Sequence, residues 1–419
     1  MEKIEIKGFL GIKDISIEVK QINIFIGKQA SGKSVIAKLL YYFKGFVFEI
    51  ISAAEQSKTK EQLDNGYKKK FLEYFPPSSW DDAYFKVQYF NHNEFVLIER
   101  KGLKIEFNYS KLYQEIFDDM RFGIEAWTKN KSDVLLPTIS PQEVRISFLS
   151  NFRNSTTSNI KFGQLYIPAG RSFFANLKEN IFSILSTGNN IDPFLIEFGS
   201  RYERIKSIIK KFREFSENKK DNTLHEEIKK IGYEVMCGQY FQENGEDYLK
   251  LEGDRQVNMV NSSSGQQETL PLILILETIS QRELSTDGIS LYIEEPEAHI
   301  FPTTQKDIVE LVSLVFNERK ESLQFFLTTH SPYILTSFNN LLQAGMLATD
   351  ADEEKMQEIE KLVPKSRFLK PEEVAVYSVE GGYCKSIMDK ETGLIDANMI
   401  DEVSNDLAVQ FDELLDLEE

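Results

Sequence analysis

Residues Gly27 to Ser34 read GKQASGKS, with the spacing G-x-x-x-x-G-K-[S/T] that can wrap a polyphosphate. Gly27 and Gly32 let the backbone close, so that the amides of Lys28, Gln29, Ala30 and Ser31 point inward. Lys33 has the reach for β- and γ-phosphates, and Ser34 offers a hydroxyl to Mg²⁺. The flanks fit that chemistry. Ile22 to Ile26 is a short apolar, β-branched run that reads as a buried strand. Ser34 to Phe43 has no Gly or Pro and carries apolar residues at helical spacing. A helix start adds partial positive charge where an anion would sit. The competing reading, a Gly-rich turn that binds nothing, explains neither flank.

Four further stretches carry groups that such a site needs. Ile289-Ser290-Leu291-Tyr292-Ile293 runs into Glu294-Glu295-Pro296-Glu297. An apolar strand that ends in two carboxylates and stops at Pro has the form of a Walker B strand, which delivers acids to the carboxyl edge of a sheet. There Glu294 would hold Mg²⁺ through water, and Glu295 would polarise the water that attacks a γ-phosphate. Glu294 stands where Asp is more usual, which changes its reach. Leu323 to Leu327 leads to Thr328-Thr329-His330-Ser331-Pro332, and a His at that edge can donate to the γ-phosphate and sense its loss. Asn261-Ser262-Ser263-Ser264-Gly265-Gln266-Gln267 precedes an apolar helix from Thr269 to Ile279. It is either a Ser-rich helix cap or a second anion cradle that closes over the nucleotide of another subunit. Tyr166-Ile167-Pro168-Ala169-Gly170-Arg171-Ser172 ends another strand. From there Arg171 reaches a phosphate or a neighbouring loop, or is a structural Arg at a turn.

The elements that must position these groups occupy a chain of 419 residues, enough for one large or two modest domains. Strand-like pieces at Lys3–Leu10 and Ile15–Val19 can pair as an antiparallel unit beside the phosphate-loop strand. From Lys44 to Asn159 the sequence mixes strand runs (Tyr84–Phe90, Phe95–Glu99, Leu103–Phe107) with a helical stretch, Ser110–Lys129, and reads as an insertion. Phe198 to Lys230 reads as charged helix, with Ile205, Ile208, Ile209 and Phe212 at helical spacing. The resulting division is an ATPase lobe at 1–45 and 160–195, an α+β insertion at 46–159, a helical lid at 196–250 and a second lobe at 251–419. The last stretch, Asp396 to Glu419, has nine acidic residues and no Lys or Arg. Ile400, Val403, Leu407, Phe411 and Leu414 fall on one helical face, so an amphipathic helix docked on the body or a partner is favoured over a disordered tail.

Composition narrows the function classes. The net charge of −17 argues against a surface that binds nucleic acid as a whole, because phosphate contacts need Lys and Arg. Lys68-Lys69-Lys70 and Lys206, Lys210 and Lys211 read as solvated helix faces, with a local basic groove as the alternative. Cys237 and Cys384 stand alone, without disulfide or zinc spacing. No apolar run approaches a bilayer span, and the N-terminus reads as a strand without a signal-peptide core. The expectation is a cytoplasmic protein with no membrane partner.

Taken together, GKQASGKS, SSSGQQ, LYIEEPEAH and FFLTTHSP resemble the ABC-type, AAA-family ATPases, in the branch that holds the SMC, RecF-like and OLD-like proteins. The resemblance covers about half the chain. It implies an α/β P-loop NTPase head with a mixed β-sheet flanked by helices, using ATP and Mg²⁺. It also implies a homodimer or higher homo-oligomer, with Ser263, Ser264, Gly265 and Gln266 acting in trans and Glu295 and His330 catalytic. IEEPEAH, YIPAGRS and VYSVEGGYCKSIMDKETGLID look most like stand-alone OLD-like ATPases of antiphage systems such as PARIS and Septu. That likeness implies a separate effector, a nuclease, and a DNA or phage-protein trigger. Two departures stand out. A Q-loop glutamine is not identifiable among Gln88, Gln142 and Gln164, and Ala169 sits where one is expected. The phosphate loop and the signature lie about 230 residues apart, too close for an SMC-length coiled coil. The chain after His330 reads as too short for a fused nuclease. Alternatives are a DNA-repair ATPase of the SMC or RecF kind, a nucleotide-gated scaffold with slow turnover, and a transporter ATPase. The missing Q-loop and the insertion disfavour the last.

Overall fold

The computed structural model describes residues 1–80, 84–130, 158–175, 191–216, 223–280, 288–396, 409–412 and 414–415. Its strands in chain order are Glu2–Phe9 (β1), Ile12–Val19 (β2), Ile22–Ile26 (β3), Tyr84–Asn91 (β4), Glu94–Lys101 (β5), Lys104–Tyr109 (β6), Gly163–Ile167 (β7), Gln239–Glu243 (β8), Glu246–Lys250 (β9), Gln256–Asn258 (β10), Ile289–Glu294 (β11), Leu323–Thr329 (β12), Val374–Glu380 (β13) and Tyr383–Ser386 (β14). The helices are Lys33–Lys44 (α1), Phe46–Glu55 (α2), Lys60–Tyr74 (α3), Lys111–Asn130 (α4), Pro193–Ser216 (α5), Thr223–Met236 (α6), Ser264–Ser280 (α7), Pro302–Glu318 (α8), Pro332–Thr349 (α9) and Glu353–Leu362 (α10).

A six-stranded sheet in the order β14-β13-β3-β12-β11-β7 carries the motifs. Every neighbouring pair in it is parallel except β13 with β14, which a Gly381-Gly382 turn joins as a hairpin. Parallel strands need both faces covered, and the alternation of side chains assigns the faces. Ile22, Ile24, Leu291, Ile293, Phe325 and Leu327 point into one core, shared with α5 to α9. Phe25, Tyr292, Phe326 and Tyr377 point into the other, where α1 buries Ile36, Leu39, Leu40 and Phe43. Each such side chain contributes roughly 1.5–3 kcal/mol when fully buried. The architecture is α/β with a mixed sheet between helices, as the sequence predicts.

β1 and β2 pair antiparallel as expected, and β4, β5 and β6 continue the same sheet in the order β2-β1-β4-β5-β6. The described residues of the 46–159 segment are α+β, but their strands build on β1 instead of forming a sheet of their own. Glu2 fastens this sheet to the other one. It is buried, pairs with Lys44 at the end of α1, and accepts hydrogen bonds from Tyr89 Oη at 2.9 Å and Gln324 Nε2 at 3.0 Å. The 196–250 stretch holds α5 and α6 and then turns to strand, because β8, β9 and β10 form a small antiparallel sheet. The expected helical lid is therefore only partly helical. Of the C-terminal face, Ile400, Val403 and Leu407 lie outside the described residues, while Phe411 and Leu414 are helical and more than half exposed. Those two are not docked on the body.

Candidate nucleotide-binding site

All five parallel strands end on one edge, and the sequence motifs follow those ends. Between β3 and α1 the loop closes tightly. Gly32, which caps α1, has φ +104°, and Ala30 has φ +60°. A Cβ at Gly27 would stand 2.2 Å from the Val379 carbonyl oxygen, so only glycine fits between the loop and β13. Lys28, Gln29 and Ala30 form the exposed crest, and Ser34 is half-buried in the first turn of α1. The Lys33 side chain folds back under the crest. Its Nζ donates to Gly27 O at 2.8 Å and Lys28 O at 2.9 Å, and lies 3.4 Å from His330 Nδ1. Lys33 is only 4% exposed, and burial lowers its ammonium below the ordinary lysine value against the opposing pull of Glu295 and Glu297. An ammonium held this way gains from an incoming phosphate, which restores its counter-charge.

β12 lies between the phosphate-loop strand and the Walker B strand, and this brings His330 to both. His330 Nε2 is 3.3 Å from Glu295 Oε1. His330 therefore bridges the two motifs, with Nδ1 on the Lys33 side and Nε2 on the Glu295 side. Glu295 sits at φ +42°, a left-handed conformation that costs a non-glycine residue of order 1–3 kcal/mol, and its N–H donates to Thr328 O at 2.9 Å. Glu297 was not singled out for a role in the sequence. Its Oε1 accepts the His330 backbone N–H at 2.6 Å, and its Oε2 is buried with no hydrogen-bond partner among the described residues. A third acid within three residues was the available signal.

Glu294 is 8% exposed and turns toward β7. Its Oε1 accepts from Tyr166 Oη at 2.7 Å and its Oε2 from Ala169 N at 3.1 Å. Burial, with Glu294 alongside, raises the Tyr166 phenol well above its ordinary value and keeps it a donor. The loop expected to carry a Q-loop glutamine thus meets the Walker B acid through the amide of Ala169. Gln164 lies near the opposite end of β7, where it accepts from Tyr292 Oη, and Gln88 lies on β4; Gln142 is outside the described residues.

The expected phosphate contact of Arg171 does not fit its placement. Arg171 is 0% exposed, and its guanidinium donates to Glu268 O at 2.9 Å, Pro168 O at 3.2 Å, Glu294 O at 2.7 Å and Glu295 O at 3.1 Å. Glu268, 1% exposed, accepts from Arg171 N at 2.8 Å and from Ser172 N and Oγ at 3.1 and 2.8 Å. Its signal in the sequence was a lone acid at the head of an apolar helix. The Ser263–Gln266 turn starts α7. Gln266 Oε1 accepts from Ser263 N and Oγ, and Gln266 Nε2 donates to Met236 O at 2.8 Å. Gly265 packs so closely on the segment after Walker B that a Cβ would stand 2.6 Å from His299 O. Ser263 and Ser264 are exposed, and the hydrogen bonds of this turn among the described residues do not reach Gly27–Ser34 of the same chain.

Of the basic stretches, Lys69, Lys70 and Lys206 form ion pairs. Lys206 is buried between Glu203 at 2.6 Å and Asp247 at 3.2 Å, and Lys70 meets Glu49 at 2.6 Å. The side chains of Lys210 and Lys211 lie outside the described residues. No helix among the described residues is long and apolar enough to cross a membrane.

The donor set suits Mg²⁺ bound with a nucleotide. Among the described residues no group of three or more His, Cys, Asp or Glu forms a cage for an ion. Magnesium usually takes one or two protein oxygens and completes its shell with phosphate and water. The Ser34 hydroxyl would be one such oxygen, and the Glu294 carboxylate, which keeps lone pairs free beside Tyr166 and Ala169, would hold the ion through water. The ion would supply charge neutralisation at the β- and γ-oxygens.

The sequence profile described as AAA ATPase domain matches residues 1–335. No curated protein matches the chain. Among solved structures, the Smc head domain with a coiled coil and joint from Pyrococcus yayanosii is 11% identical over 96% of this chain and 100% of that one, with a TM-score of 0.40. The Smc head domain with an extended coiled coil bound to the C-terminal domain of ScpA, from Pyrococcus furiosus, is 15% identical over 92% and 96%, with a TM-score of 0.36. The recombination mediator protein RecF of the RecFOR pathway is 14% identical over 92% and 97%, with a TM-score of 0.30. Each is a distant likeness.

Proposed function

Since the chain belongs to the AAA ATPase domain family, we propose that it binds ATP with Mg²⁺, hydrolyses it, and pairs head to tail with a second copy around it. The observation that carries this reading is the meeting of three motifs in one cluster, with His330 3.4 Å from Lys33 Nζ and 3.3 Å from Glu295. In the proposed reaction the crest amides and Lys33 hold the phosphates. Ser34 and Glu294 hold the ion, and Glu295 takes a proton from the attacking water. His330 donates toward the γ-phosphate and registers its departure. Ser263 and Ser264 are exposed and, among the described residues, the turn makes no hydrogen bond to its own phosphate loop, which leaves the two serines free to cap the nucleotide of the second copy.

The output of the cycle is proposed to be control of a separate effector, a nuclease, in antiphage defence. Support comes from the likeness of IEEPEAH, YIPAGRS and the Val376–Asp396 stretch to OLD-like defence ATPases. The deciding experiment concerns the pairing. Glu295→Gln keeps the fold and the nucleotide but removes the base, so light scattering should report a dimer that persists with ATP and Mg²⁺. A variant that stays monomeric with saturating ATP overturns the reading. Turnover that rises steeply with added DNA and falls with salt would move the protein to the DNA-repair class.

A further inference from the structure

We propose that Arg171 and Glu268 are positioning residues that tie the chain's signature turn to its own Glu295, so that a nucleotide gripped by that turn in one site sets the hydrolytic carboxylate of the other. The inference rests on the head-to-tail reading above. Arg171 uses a planar fork on three segments at once: the loop after β7 (Pro168 O), the end of β11 (Glu294 O and Glu295 O) and α7 (Glu268 O). Glu268, one helical turn beyond Ser264, returns the contact through Arg171 N and Ser172. A second link runs parallel to the first, because Gly265 rests against His299 O. Between these links lies a segment with two left-handed non-glycine residues, Glu295 at φ +42° and His299 at φ +61°. Such conformations persist only where their surroundings impose them. A displacement of α7 therefore reaches the Glu295 backbone through a fully buried ion pair and a van der Waals contact with no slack. Burying that pair is costly in itself, and geometry is what it supplies.

The test separates position from stability and from pairing. Arg171→Met/Glu268→Gln removes the buried charges together and leaves an amide to accept from the Ser172 turn. Its folding is checked by thermal unfolding and its affinity for a fluorescent ATP analogue by titration. The expected result is wild-type nucleotide affinity with kcat lower by about 100-fold, the scale of loss when a reacting group shifts by an ångström. In a Glu295→Gln background the same pair of changes should raise the ATP concentration needed for dimerisation about tenfold. Arg171→Lys, which keeps the charge without the fork, should recover only part of kcat. A folded double variant with kcat within threefold of wild type overturns the proposal, even where only its melting temperature falls. Where the double variant does not fold, Glu268→Gln alone carries the decision by the same kcat criterion. If Glu295→Gln alone fails to dimerise, the pairing itself is what fails.

Discussion

Glu294 shows how a single side chain can be overcommitted. It is 8% exposed, accepts from Tyr166 and Ala169, and is also the carboxylate proposed to hold Mg²⁺. The two donors fix its direction, so the longer side chain at a position where Asp is usual does not swing freely. Tyr166→Phe tests whether that direction matters. Removing the hydroxyl leaves Glu294 Oε1 buried without its donor, which should cost about 1–3 kcal/mol, measured by urea unfolding. It should also raise the Mg²⁺ concentration for half-maximal ATP turnover several-fold. Loss of stability with an unchanged Mg²⁺ dependence would make Glu294 a structural acid and leave the metal to Ser34 and the phosphates.

At the scale of elements, the first turn of α7 is where the fold allows least adjustment. A Cβ at Gly265 would stand 2.6 Å from a backbone oxygen that cannot rotate away. Gly265→Ala should therefore push the helix start off the segment after β11. The expected outcome is normal binding of a fluorescent ATP analogue, because the phosphate loop is untouched, with ATP-dependent dimerisation and turnover both reduced more than tenfold. Retained dimerisation would detach the turn from the interface. The same elements show what the sequence could and could not reveal. β3, β11 and β12 were legible because a fully buried parallel strand is a short unbroken apolar run, and each ends in the group it delivers. The spacing also gave β1, β2 and the strands of 84–109, but not the partner of β4. Antiparallel pairing joins Lys3 to Phe90 across a stretch of chain that local pattern does not span. Arg171 stays open in the sequence, between a phosphate, a neighbouring loop and a structural role, for the same reason. A turn arginine looks like a phosphate ligand until its acid appears 97 residues away on another helix.

For the whole molecule, head-to-tail pairing has an electrostatic consequence. Each copy carries −17, so a dimer forms against its own net repulsion and needs the nucleotide contacts to offset it. Added salt screens that repulsion and should favour ATP-dependent dimers, the reverse of its effect on a protein bound to DNA. The proposed pairing would also divide each site between two chains, and complementation tests that division. Glu295→Gln lacks a base but keeps its signature turn; Ser263→Arg blocks its turn but keeps Lys33, Glu295 and His330. Each alone should be inactive. In the mixed dimer one site unites the intact halves and the other unites the damaged ones. Equal amounts are mixed before ATP is added. In a two-fold dimer random pairing sets a ceiling of about a quarter of the wild-type rate per chain, so turnover should return but stay below that, because the blocked turn belongs to the chain that supplies the intact Glu295. The measurement is phosphate release against mixing ratio, with a maximum at equal proportions. A mixture as inactive as its components, together with a Glu295→Gln variant that stays monomeric with ATP, would place the signature turn in the same chain's site, and the phosphate loop would then belong to a monomeric ATPase.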